Sequence, residues 1–167
     1  MMRHTLAAPV VSRLACGFLR NRRASSAVEF AIIAAPFMLA VMGVIQVGIF
    51  YTAQSALDTG TVKTAETLRT NFTTGSTATL LSAGQLKSSV ASGAGAMISN
   101  DSTLLVEIRQ LSSLSSGNVP IADGTVDYGN AGSTLVLRTQ SSVVTLAPGL
   151  SGLNTIYSSA LVRRQGT

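Results

Sequence analysis

The hydrophobic and polar positions divide the chain into an apolar run, a stretch of helical period and several stretches that alternate. Residues 30–51, "FAIIAAPFMLAVMGVIQVGIFY", contain no charged residue. The nineteen residues from Ala31 to Ile49 alone would span about 28 Å as a helix, enough to cross the hydrocarbon core of a bilayer. The pattern therefore predicts one membrane-spanning helix near the N-terminus.

A helical period continues beyond the apolar run. Between residues 52 and 70 a weak apolar set recurs at helical intervals: Ala53, Leu57, Ala65 and Leu68. Gly60 is expected to weaken this extension by about 1 kcal/mol relative to alanine. Residues 71–77, "NFTTGST", have the composition of a loop. One helix is therefore expected to cross the membrane and to extend beyond it to about residue 70.

The rest of the chain predicts a second helix and a small sheet. Residues 78–99 space Leu86 and Val90 at helical intervals, which indicates an amphipathic helix. Alternation follows in three segments, 102–111, 133–146 and 154–164, as expected for half-buried strands. In the first, Leu104, Val106 and Ile108 alternate with Leu105, Glu107 and Arg109. We therefore expect an α+β fold: a long N-terminal membrane-spanning helix, a second amphipathic helix and a small C-terminal antiparallel β-sheet.

The charges are distributed unevenly. Five of the twelve basic residues precede residue 24 and all seven acidic residues follow it, so the remainder has no net charge. Most of its basic residues are scattered singly, which argues against a nucleic-acid interface: Lys63, Arg69, Lys87, Arg109 and Arg138. We interpret the final pair, Arg163-Arg164, as a solvated tail. Arg20, Arg22 and Arg23 immediately precede the apolar run, and the positive-inside rule therefore predicts a cytoplasmic N-terminus.

Residue types suited to catalysis are scarce after the basic segment. The only cysteine, Cys16, and the only histidine, His4, both precede residue 24. The serines lack a nearby base, so we expect neither enzymatic activity nor a cofactor or metal. Asp123, Asp127 and Asn130 share a glycine-containing loop, but they lack the spacing and closing glutamate of a calcium loop, and we interpret them as turn residues.

One carboxylate, Glu29, lies at the start of the apolar run, in "RNRRASSAVEFAII" (residues 20–33). An ionisable residue at a membrane edge usually has a partner or a role. The simpler alternative is an interfacial acid near a helix N-terminus, where negative charge is favoured.

The order of residues here resembles the class III signal of type IV pilins and pseudopilins. The shared features are arginines, a small residue, a glutamate five positions on, an aromatic residue and about twenty apolar residues. The resemblance implies that a prepilin peptidase recognises Glu29 and Phe30 and cleaves between Ala24 and Ser25, although the family usually has glycine before the cut. It also implies that Glu29 pairs with the new α-amine of Ser25, or with that of a neighbouring subunit, during assembly.

Residues 20–70 resemble, more narrowly, the TadE-like pseudopilins of the Flp/Tad pilus system. The matching features are Val-Glu-Phe-Ala at residues 28–31, the proline Pro36, where a kink is expected, and a stretch beyond the membrane: Phe50, Tyr51, Gln54, Ala56, Leu57 and Asp58. The resemblance implies a leader at 1–24, a transmembrane helix and its extension at 25–70, and an outer α+β domain at 71–167.

The same resemblance implies a single-pass protein of the inner membrane, with its C-terminal domain in the periplasm or on the pilus. Its partners would be the membrane, the prepilin peptidase, other pilins and Tad assembly proteins. Two alternatives stay open. One is a secreted protein whose signal is removed near Ser55, giving a product that begins near Ala56, and the other is an uncleaved single-span envelope protein.

Overall fold

The computed structural model describes residues 22–74, 80–98, 102–114, 119–146, 149, 152 and 154–165. Within these ranges it contains two α-helices, two short 3₁₀ turns and one three-stranded antiparallel sheet. The predicted α+β class is therefore confirmed.

Helix α1 runs from Arg22 to Thr73, a length of 52 residues, and Pro36 lies inside it. By length and composition this helix could cross a membrane. The chain divides into two compact units, one up to Val44 and the other from Ile45 onward, so α1 contributes to both. In the first unit the apolar window of the helix has no buried side chain.

In the second unit α1 buries the weak apolar set that its sequence period predicted. Ala53, Leu57, Ala65 and Leu68 all lie in the hydrophobic core. Burial of these side chains, rather than helix propensity, stabilises this half of the helix, since helices in proteins gain most of their stability by packing an apolar face.

Helix α2 runs from Ala83 to Ala94 and is shorter than the segment 78–99 predicted from the sequence. Ser82 sets its start through a capping box, in which the Ser82 hydroxyl accepts from the Gln85 N–H and the Gln85 side chain accepts from the Ser82 N–H. Leu86 and Val90 are fully buried, as the amphipathic pattern predicted. Gly95, with φ of 73°, ends the helix, and a 3₁₀ turn from Gly95 to Ile98 follows.

The sheet is a meander of three strands in the order β1-β2-β3. Strand β1 is Leu105–Gln110, β2 is Thr134–Ser142 and β3 is Thr155–Arg163. Every second residue of each strand faces the core that also contains α1 and α2. A buried hydrogen bond of 2.8 Å between the hydroxyls of Thr61 and Thr139 joins α1 to the central strand.

The opposite face of the sheet departs from the simple alternation. Glu107 lies on that face but is fully buried, because residues 119–122 cover it. Its carboxylate forms ion pairs with Arg109 and Arg138 and accepts a hydrogen bond from the Ala122 N–H. Arg109 and Arg138 are far apart in the sequence, and strand pairing places Arg138 directly opposite Glu107.

The C-terminal arginines also differ from expectation. Arg163 is exposed, but the Arg164 guanidinium donates hydrogen bonds to the carbonyls of Tyr128 and Gly129, at 3.4 and 2.5 Å. The Arg164 backbone in addition pairs with Gly132 and Ser133. Arg164 thus attaches the end of β3 to the preceding loop and is not a solvated tail.

The two helices make their closest approach at a pair of glycines. A Cβ atom on Gly60 would lie 2.4 Å from the carbonyl oxygen of Val90, and one on Gly93 would lie 2.9 Å from the Cα of Gly60. These are backbone atoms, which cannot move aside as a flexible side chain does. The glycine that weakens α1 as an isolated helix is therefore needed for α2 to pack against it.

We expect Gly60→Ala to lower the free energy of unfolding by about 1–3 kcal/mol, because overpacking outweighs the gain in helix propensity. Thermal unfolding of the full chain in detergent, followed by circular dichroism, measures the change. Gly84→Ala in α2 is the matched control, since nothing lies within 4 Å of an added Cβ there. Equal stability of the Gly60 variant and the native chain would contradict the close-packing argument.

Candidate functional site

The residues predicted to direct processing lie at or before the start of α1. Arg20 lies outside the described residues, whereas the backbones of Arg22, Arg23 and Ala24 form the first turn of the helix. Ser25 and Glu29 are four residues apart on this helix, and this spacing places them on one face, one turn apart. An amine formed at Ser25 would therefore be within reach of the Glu29 carboxylate.

The surface that follows is apolar on all sides. Phe30 is 73% exposed and Val44 is 73% exposed, and large apolar side chains between them are also exposed: Ile32, Ile33, Phe37, Met38, Leu39 and Met42. A helix that is apolar all round is typical of a membrane span or of the interior of a larger assembly. Pro36 lies within this stretch and the helix continues on both sides of it.

Gln46 is a polar residue within the apolar run, and it is fully buried in the second unit. Its Nε2 donates to the Val144 carbonyl at 3.1 Å, and its Oε1 accepts from the Leu146 N–H at 2.7 Å. The two bonds hold residues 143–146, which we call the tip, against α1. The sequence alone does not indicate these partners of Gln46, because they lie about a hundred positions further along the chain.

Further along α1, two side chains bind the outer edge of β3. The Gln54 amide donates to the Tyr157 carbonyl at 2.7 Å, and the Arg69 guanidinium donates to the Leu161 carbonyl at 2.6 Å. Leu57, between them, is fully buried in the core. Residues 50–58, which carry part of the family resemblance in the sequence, therefore help to join the helix to the sheet.

The loop acids have structural partners, in agreement with their interpretation as turn residues. Asp127 accepts from the Gly129 N–H at 2.9 Å, and Asp123 accepts from the Val106 N–H and pairs with Lys87. Partial burial by itself raises the pKa of Asp123, but these hydrogen bonds and the Lys87 charge lower it below its usual value. Among the described residues no three histidines, cysteines or acids gather as metal ligands would.

We expect Gln46→Leu to lower the free energy of unfolding by about 1–3 kcal/mol, because it leaves a carbonyl and an N–H of the tip without their partners. Gln54→Leu is the comparison of equal size at a half-buried position of the same helix, and we expect it to cost less because it leaves one carbonyl of β3 without its partner instead of two backbone groups. Thermal unfolding in detergent compares the two. A Gln46 variant as stable as the native chain would show that the two hydrogen bonds do not hold the tip.

Comparison with known proteins gives one match. Residues 24–65 match the family model described as TadE-like protein, about a quarter of the chain. No curated protein and no solved structure matches. The matched segment contains Glu29, the exposed apolar part of α1 and Gln54, one of the two residues whose side chains bind β3. Over these residues the chain is similar to TadE-like proteins, and the similarity is consistent with involvement in Tad pilus assembly.

Proposed function

We propose that this chain is a minor pilin or pseudopilin, anchored in the inner membrane by α1 and processed by a prepilin peptidase after Ala24. The observation that carries the proposal is the spacing of Ser25 and Glu29 one turn apart, immediately before the exposed, uncharged run of the same helix. The family match supports it, since the match begins at residue 24, next to the expected cut.

The pairing of the new α-amine with Glu29 provides a physical reason for the carboxylate. Either charge alone is costly at the edge of a bilayer, whereas an ion pair reduces the cost for both. The same chemistry allows the carboxylate of one subunit to bind the amine of its neighbour. In this proposal α1 enters the assembly through its apolar surface, and the protein acts by association rather than by catalysis.

The arginines before the cut set the proposed orientation. Arg20, Arg22 and Arg23 stay in the cytoplasm by the positive-inside rule, so the α+β domain lies in the periplasm or on the pilus. The proposed partners are the peptidase, other pilins and the Tad assembly proteins.

The secreted alternative has less support because of where its cleavage would fall. A cut after Ser55 would remove Gln46 and Ala53, and both are buried in the unit that contains the sheet. The product beginning near Ala56 would lose the partner of the tip and part of its core. The uncleaved alternative keeps the whole helix and is distinguished by the mass of the mature chain.

Expression with and without a prepilin peptidase tests the processing step. We expect the mature chain to begin at Ser25 when the peptidase is present and to retain residues 1–24 when it is absent, as measured by intact mass and N-terminal sequencing. Ala24→Gly is expected to be cleaved at least as fast as the native chain, whereas Ala24→Leu is expected to block cleavage. Retention of the leader in the native chain with active peptidase would contradict this proposal.

A second experiment tests assembly, and the intact mass of each variant is measured alongside it, so that a loss of cleavage is distinguished from a loss of assembly. We expect Glu29→Gln to reduce incorporation into pili at least tenfold, because an uncharged side chain at this position no longer pairs with the α-amine; a loss of about 1.4 kcal/mol corresponds to that factor. Quantitative immunoblotting of sheared pili and of membranes measures the ratio. Glu66→Gln, exposed on the same helix outside the apolar run, is the control and is expected to assemble normally. Normal incorporation of Glu29→Gln would remove the proposed role of this pair.

A further inference from the structure

The tip, residues 143–146, is an exposed apolar segment that follows β2. Val144 is 72% exposed and Leu146 is 53% exposed, although both are aliphatic. Residues 141–146, "SSVVTL", contain no charge. Val143 also lines a cavity of about 310 Å³ with Ile49 and Ile156, so the apolar surface continues from the tip into the domain.

The two hydrogen bonds of Gln46 fix the height of the tip along α1. Gln46 lies within the apolar run, five residues before its last residue, Tyr51. At 1.5 Å per residue, the tip lies beside the helix about 7.5 Å on the membrane side of Tyr51. The neighbouring helix residues Ile45 and Val47 are also exposed and apolar. The tip and this part of the helix therefore share the same surroundings.

We propose that the tip inserts into the lipid bilayer at the interfacial region, so that the α+β domain rests on the membrane instead of standing clear of it. The occupant of this surface is lipid. The inference rests on the membrane anchoring proposed above and adds a second point of contact made by a segment about a hundred residues away in sequence.

Hydrogen bonds to protein groups reduce the cost of bringing the tip into lipid. Irregular backbone is costly in the hydrocarbon region unless its N–H and C=O groups have protein partners. Here the Val144 carbonyl and the Leu146 N–H are bound by Gln46, and the Val143 N–H donates to the Asn154 carbonyl at 2.7 Å. The same bonds satisfy the Gln46 amide, which would otherwise be a polar group at the edge of the apolar run.

Depth-dependent quenching on the full chain tests the inference. In a Cys16→Ser background, single cysteines replace Val144, Tyr157 or Met38, and each carries an environment-sensitive fluorophore. Tyr157 is 59% exposed on β3 and serves as the matched aqueous control, and Met38 is 60% exposed in the apolar run and reports on the anchor. The proteins are reconstituted into vesicles of phosphatidylcholine and phosphatidylglycerol that contain lipids brominated at shallow or deep positions.

We expect the label at 144 to be quenched several-fold more by shallow brominated lipids than the label at 157, and several-fold less by aqueous iodide. The label at 38 is expected to respond most to the deep brominated lipids. Thr145→Cys, also exposed in the tip, provides a second reporter if the Val144 variant does not fold.

The possible failures are distinct. Equal iodide quenching at 144 and 157, with a deep label at 38, would overturn the tip proposal while leaving the anchor intact. Protection of 144 from iodide without quenching by brominated lipid would mean that protein, such as a second copy of the chain, covers the tip, and this would also overturn the proposal. A label at 38 open to iodide would overturn the anchor and the tip together.

Discussion

Helix α1 must satisfy two kinds of surroundings with one continuous backbone, and the rest of the structure depends on how its side chains do this. From Phe30 to Val44 the exposed residues are apolar on all sides, whereas from Ala53 onward a single apolar stripe is buried in a protein core. One apolar stripe is sufficient to stabilise α1 where the sheet and α2 cover only one side of the helix. An apolar surface all round is required where no part of the described fold covers the helix.

The elements with a local period could be predicted from the sequence, and the contacts between distant elements could not. The apolar stripe of α1, the burial of Leu86 and Val90, and three strands all follow from spacing along the chain. Glu107 illustrates what could not be predicted. The sequence around it alternates as in an ordinary strand, and only the register of β1 against β2 places Arg138 opposite it. Residues 119–122, which bury this charge, have no helical or alternating pattern from which their position could be predicted.

Glycine and glutamine illustrate the same limit for single residues. Gly60 has a known cost in a helix, but the reason to accept that cost lies in the backbone of α2, some thirty residues away. Gln46 has an amide that needs partners, and the sequence does not state which backbone provides them. The site residues differ in this respect, since Ser25 and Glu29 belong to one helical turn, and their proximity follows from helix geometry alone. Residues 50–58 resemble the TadE-like family in sequence. The structure adds that Gln54 binds β3 and that Leu57 is buried in the core between the helix and the sheet.

The bonds from Gln54 and Arg69 to β3 have a consequence for self-association. The edge of a sheet is a template for strand pairing between molecules, and proteins that reach high local concentration risk aggregation there. In this chain the carbonyls of Tyr157 and Leu161 on the outer edge of β3 are already occupied by an amide and a guanidinium. On the other side, the segment around Val126 runs along β1 and pairs with Ile108. An incoming strand would have to displace these groups at both edges, so the sheet is a poor template for strand pairing between molecules.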